Sequence, residues 1–384
     1  MRAISRVVTI CLAVLAGATS RAAEPGPDPE TRAAMREIFA ALGDVLPICL
    51  SADRFASPAQ RDTVRAGLEK IAARADSLAK HADGAQADFA SRGAVLAEDA
   101  RRAASRFASG RLVDARFVAL QLTESCVGCH SRLPSDADAP FAAKLVDDAK
   151  LASLSPAERA RLSVATRQFD KSLDLYEGVL TSPPSGAGEA ARMPDLVEYL
   201  IVAVRVKREP ERAAKLLEKL EKRSATPPDI RRELGGWLAQ LRSEGKVVRE
   251  TPSLTRARAL VESGKRARPY TYSKAGLIDD LLASSILHRL LEDPLQTKPD
   301  RAETYYLLGL TDANVRASPW LSEAGWYLAS AIRTAPHSQT AARAFEAYED
   351  MTVLEWTGSA GTEIPADVTR ELDRLRALAA PGAT

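Results

Sequence analysis

At 384 residues the chain exceeds one ordinary domain and is long enough to bury two hydrophobic cores. Its 53 Lys and Arg are balanced by 51 Asp and Glu, for a formal net charge of +2. So weak a field excludes nucleic acid and anionic membrane surfaces as expected partners.

In chain order, Arg2 and Arg6 flank the apolar run Val7 to Ala16, and small residues follow at Ala16-Gly17-Ala18. This pattern predicts an export signal over residues 1–23, cleaved between about Ala18 and Ala23. The run is too short to span a bilayer, and no later stretch of about 18 uninterrupted apolar residues exists, so no membrane span is expected. Cys11 lies inside the run rather than just after a cleavage site, which is not where a lipid would be attached.

Residues 24–134 read as one domain, helical throughout from Asp28 to Pro134. The first predicted helix runs from about Pro29 to Leu50, with Met35, Ile38, Phe39, Leu42, Val45, Leu46 and Cys49 at spacings of three and four. Ser57-Pro58 supplies an N-cap and a proline at the first helical position of the next. That helix carries Val64, Leu68, Ile71, Ala75 and Leu78, and Asp83-Gly84 breaks it. A third covers about Gln86 to Ser109 and ends at Gly110; a fourth runs from about Leu112 to Ser131 and is stopped by Pro134. Helices of about 20 residues joined by short connections predict an antiparallel four-helix bundle.

The last turns of the fourth helix carry Cys126-Val127-Gly128-Cys129-His130. C-x-x-C-H is the attachment sequence of a c-type haem: two thiols add across the porphyrin vinyl groups, and the adjacent imidazole binds iron. On a helix, positions i, i+3 and i+4 share one face, so all three residues meet one haem. A zinc site needs about four ligands, but His81, His288 and His337 are scattered and no second cysteine pair exists. A redox dithiol would want a βαβ context, which is missing. One covalent haem c is therefore expected, with Cys126 and Cys129 as thioethers and His130 as proximal axial ligand. Cys49 is then left unpaired, as a small buried hydrophobe, and no disulfide framework remains. Haem attachment takes place outside the bacterial cytoplasmic membrane, so the motif and the export signal both point to the periplasm.

This half resembles the cytochrome c-prime and c556 family of four-helix-bundle cytochromes, through C-V-G-C-H near the end of the fourth helix and Arg32-Ala33-Ala34-Met35 in the first. The family's usual tryptophan-containing segment before the third helix is missing, and Ser131-Arg132-Leu133-Pro134 replaces its aromatic-plus-basic ending. The resemblance implies that a first-helix methionine can bind the iron, and Met35 is the matching position. In an antiparallel bundle Met35 is level with the end of the fourth helix. His81, at the end of the second helix, is the rival, and an open distal site is the third alternative. Cys49 is about 14 residues from Met35, roughly 20 Å along the helix, and is too far. Met/His ligation raises the reduction potential and closes the iron; five-coordinate members of the resembling family bind NO or CO.

Residues 135–154, rich in Asp, Ala, Pro and Ser, read as a linker, and 155–384 as helical hairpins. One unit begins at Ala160, its second helix carrying Phe169, Ser172, Tyr176, Val179 and Leu180, before Pro183-Pro184. A second is Leu196 to Pro227, with Ala213, Leu217 and Leu220. A third is Ala302 to Pro336, with Tyr305, Leu308-Gly309, Ala324, Leu328 and Ala331 and an insertion near Ser318-Pro319. These units resemble tetratricopeptide repeats, which bury their apolar faces against neighbouring repeats. The basic stretch Lys265 to Lys274, with Tyr270 and Tyr272, reads as a solvated loop or helix end. Asp279-Asp280 and Glu346-Glu349-Asp350 read as ordinary helix-surface acids. The whole chain is thus expected to be all-α, an exported monohaem c-type cytochrome that transfers one electron at a time and is not itself an enzyme. Its repeat half would dock a redox partner protein. Gas binding at an open haem, or a scaffold stabilised by haem, are the alternatives.

Overall fold

A computed structural model describes residues 29–49, 51–80, 87–130, 154–183, 189–270, 273–315, 324–359, 361–364 and 366–381. The expected signal over 1–23, His81, Asp83-Gly84, Ser131 to Pro134, most of the linker, Tyr272 and Ser318-Pro319 lie outside the described residues. The architecture is all-α; one two-residue hairpin pairs β1 (Thr357–Gly358) with β2 (Gly361–Thr362). No described helix is long and apolar enough to cross a membrane.

The first half comprises α1 (Pro29–Cys49), the one-turn α2 (Ala52–Ala56), α3 (Arg61–Lys80), α4 (Ala87–Ala108) and α5 (Leu112–His130). Ser51 caps α2, its hydroxyl accepting from the Arg54 amide at 3.3 Å. Ser57 does not cap through its side chain: a 3-10 turn, Pro58–Gln60, precedes α3, and the Ser57 carbonyl accepts from the Gln60 amide at 3.0 Å. Gly110 ends α4 as its position predicts. With φ at 79° it lets the amides of Gly110 and Arg111 reach back to the carbonyls of Phe107 and Arg106.

Four helices share one core. Ile38, Leu42 and Val45 of α1 meet Leu68, Ile71 and Ala75 of α3, Ala97, Ala100 and Phe107 of α4, and Ala115, Val118, Ala119 and Leu122 of α5. The Arg116 guanidinium on α5 donates to the carbonyl of Cys49 at 2.5 Å, so the start of α5 lies beside the end of α1. The two helices also touch each other directly around the core they share.

The second half continues with α6 (Pro156–Ala165), α7 (Phe169–Thr181), α8 (Met193–Leu200), α9 (Pro210–Glu221), α10 (Pro228–Glu244), α11 (Leu254–Ala267), α12 (Leu277–Leu291), α13 (Lys298–Val315), α14 (Ala324–Thr334), α15 (Gln339–Glu355) and α16 (Ala366–Ala379). A capping box starts α6: Ser155 accepts from the Glu158 amide, and the Glu158 carboxylate accepts from the Ser155 amide. A π-helical turn, Ile201–Val206, extends α8. Helices adjacent in sequence pack against each other, as do α6 with α7, α9 with α10, and α11 through α15 in succession. The links α6–α7, α8–α9 and α14–α15 each place a non-glycine residue in the left-handed region: Arg167, Arg208 and His337, with φ of 62°, 58° and 63°. A second core runs from Ala160 to Tyr327, and a smaller third one joins α14, α15 and α16. Of the residues marked out in the sequence as repeat anchors, Phe169, Tyr176, Leu217, Leu308 and Leu328 are buried, whereas Val179 and Tyr305 are half-buried. α7 and α8 are locked reciprocally: Tyr176 donates to Glu198, and Tyr199 donates to Glu177 at 2.9 Å. Arg161 and Arg212 neutralise the two glutamates.

Two expectations fail here. Asp279 and Asp280 are not surface acids but are buried on α12, a helix apolar on nearly every side. Gln240 donates to Asp279, and Arg268 forms an ion pair with Asp280. The basic stretch is likewise not a solvated loop throughout. Lys274 donates to the carbonyls of Asn314 and Val315 at 2.7 and 3.2 Å, and its own carbonyl accepts from the Trp237 indole at 2.8 Å. By contrast, Glu346 and Asp350 are exposed, as read, and Glu349 pairs with Arg376 at 2.7 Å.

Burial pushes the Asp280 carboxyl up to about 7, against the pull of Arg268. A carboxyl that holds its proton more tightly when folded favours folding most at low pH. That contribution is lost as pH rises from the ordinary carboxylate range through 7. Urea titrations between pH 4 and pH 8 are expected to show a steeper decline in stability for the native chain than for Asp280→Asn. Equal slopes would show that Asp280 does not titrate in this window.

Candidate functional site

The motif sits at the end of α5, whose backbone is helical through His130. At about 100° per residue, positions 126, 129 and 130 fall within about 70° of the mean direction of Ala115, Val118, Ala119 and Leu122. Those four side chains are the ones α5 buries in the first core. By spacing alone, these positions continue the direction of that stripe. Cys126 is half-buried. The side chains of Cys129 and His130 lie outside the described residues, and so does His81.

Met35 is half-buried on α1 and packs against the first core. Its height follows from the Arg116–Cys49 contact. Met35 is about 14 residues before Cys49 and His130 about 14 residues after Arg116, so along antiparallel helices both stand roughly 20 Å from that contact. An antiparallel arrangement of α1 and α5 would put Met35 and the end of α5 at the same height. Cys49 is at the opposite end and fully buried, its thiol pushed up to about 12 by burial; it is the inert core residue the sequence suggested. The two other described histidines are engaged in the second half, His288 edge-on to Tyr327 and His337 hydrogen-bonded to the Ala380 carbonyl at 2.7 Å. Among the described residues, no group of three or more His, Cys, Asp or Glu could hold a metal ion by itself.

No family model, curated protein or solved structure matches the chain. The functional reading therefore rests on donor chemistry and placement.

That chemistry fits a covalent haem. Two thiols three positions apart and an imidazole one position further on share, by their spacing, one face of the helix α5. Hydrophobic surroundings suit a porphyrin, and the half-buried state of Cys126 and Met35 marks where the first core stops short of full closure.

One feature escaped the sequence reading. Cys126 packs against the second core, not only along the stripe of the first. The helix of the second half lying along α5 is α6. The signal available for this was the apolar character of α6 on two faces, Leu162 on one and Ala160 with Val164 on the other.

Proposed function

We propose that the chain is an exported c-type cytochrome with one haem, which transfers single electrons in the bacterial periplasm. The reading takes the four helices of the first half as a haem-bearing bundle and the second half as a tetratricopeptide-like array that docks a redox partner protein. What supports it is the C-x-x-C-H spacing in the last turns of the helix α5, whose earlier turns bury Ala115, Val118, Ala119 and Leu122 in the first core. Cys126 and Cys129 would hold the haem as thioethers and His130 would bind its iron. When bound, the group supplies a one-electron ferric–ferrous couple. Met35, from α1, would add a soft thioether ligand, which favours the ferrous form and raises the potential. The apolar side chains of α1 and α5 exclude water from the site. Interhelical ion pairs such as Arg161–Glu198, and the Tyr199–Glu177 bond, keep the α6–α8 part of the array rigid beside it.

The test is optical. The reduced native protein is expected to be low-spin and indifferent to CO. Met35→Ala is expected to turn high-spin and to bind CO. An unchanged low-spin spectrum in the variant would remove Met35 as ligand. CO binding by the native protein would replace electron transfer with gas binding at an open iron.

A further inference from the structure

The helix α6 is buried on two sides. Leu162, together with Leu154 just before the helix, belongs to the first core, whereas Ala160, Val164 and Ala165 belong to the second. Ala160 and Val164 are four positions apart and share a face; Leu162, two positions from each, points the other way. α6 is thus a partition between the halves, and it packs along α5. On α5 the inward stripe changes neighbours along its length: Leu122 packs in the first core, and one turn later Cys126 packs against the second. A haem held by a thioether at Cys126 is therefore attached where the two cores meet.

We propose that α6, through the face bearing Ala160 and Val164, is a wall of the haem site, so that the second half of the chain helps enclose the haem and is not only an appended docking module. This inference rests on the haem reading above. Its consequence is that haem attachment and packing of the array form one unit: loading the haem tightens α6, and loosening α6 exposes the haem edge. A partner bound to the array then acts on the haem through α6, without touching the bundle.

The experiment compares amide hydrogen exchange in the full-length haem-loaded protein and in the Cys126→Ser/Cys129→Ser variant. Exchange over residues 156–165 is expected to be roughly tenfold faster in the variant, with α15 and α16 unchanged. Equal protection of residues 156–165 in both proteins would overturn the proposal. Should the double variant not fold, Val164→Ala in the haem-loaded protein is measured instead. Its reduction potential is expected to fall, because water reaching the haem edge favours the ferric form. Leu375→Ala, in the third core, serves as the control and is expected to leave the potential unchanged. A potential unmoved by Val164→Ala would overturn the proposal. A pyridine haemochrome assay on the native protein separates the two readings: haem present with α6 unresponsive sinks only this inference, whereas absent haem sinks the haem reading itself.

Discussion

Replacing Cys126 and Cys129 together by serine is expected to yield a colourless protein when the chain is exported in a host able to attach c-type haem. The native chain should carry one haem that resists acid extraction. The expectation follows from the chemistry of the attachment: each thiol forms one carbon–sulfur bond with a vinyl side chain, and serine forms none. His130 alone would have to retain the porphyrin, through a single iron–nitrogen bond that acid breaks. His130→Ala is the complementary case, in which covalent haem stays but the proximal ligand is gone and the spectrum changes. The double replacement should also lower the thermal midpoint, since the apolar end of the bundle near Met35 loses its filling and gains exposed surface. Mass spectrometry of the intact chain reads the first effect directly. A haem-sized mass increment on the double variant would contradict it.

Gly276→Ala is expected to cost about 3 kcal/mol or more. A Cβ at Gly276 would meet the carbonyl oxygen of Gly264 at 2.4 Å and its Cα at 2.7 Å. Both partners are backbone, so no side chain can rotate away; α11 and α12 would have to separate. The contact sits beside the Arg268–Asp280 pair and the Gln240–Asp279 bond, and parting the helices would also loosen those buried polar partners. Gly236→Ala provides the contrast. It lies within α10, its added Cβ meets nothing within 4 Å, and the substitution should stabilise by up to about 1 kcal/mol through helix propensity. Urea unfolding of both variants measures the difference. Similar midpoints would show that α11 and α12 are not held in this close approach.

How legible each part was depended on how cleanly its residues separate into faces. The helices of the first half follow their stripes closely: Val64, Leu68, Ile71, Ala75 and Leu78 are all buried in α3, and Gly110 stops α4 where it was expected to. α12 was misread because its adjacent aspartates looked like a surface pair. The surrounding sequence, Leu277-Ile278 before them and Leu281-Leu282-Ala283 after, is apolar all round, which is the mark of a helix buried on every side. That signal outweighs the local acidity, because two carboxylates with Arg268 and Gln240 beside them can be buried when a solvent face is lacking. Within the predicted hairpins of 155–384, the helices between Pro228 and Ala267 fall in no delimited unit, since no aromatic and small-residue alternation marks them. In the site, the C-x-x-C-H spacing is read from the sequence alone, and the structure adds only that its backbone is helical to His130 and that Met35 packs against the first core. The contact between Cys126 and the second core was not legible, because it joins elements separated by residues 131–153 and no pattern within either one encodes it.

The central claim is that the thiols of Cys126 and Cys129 carry a haem, and one measurement addresses it most directly. The purified, exported native protein is denatured in alkaline pyridine, reduced, and its haemochrome recorded beside the intact mass and the iron content. The account predicts a c-type haemochrome, one iron per chain and a mass increment of one haem, all of them absent from the double serine variant. A chain without iron, whose cysteines at 126 and 129 both react with a thiol reagent under denaturing conditions, would contradict it.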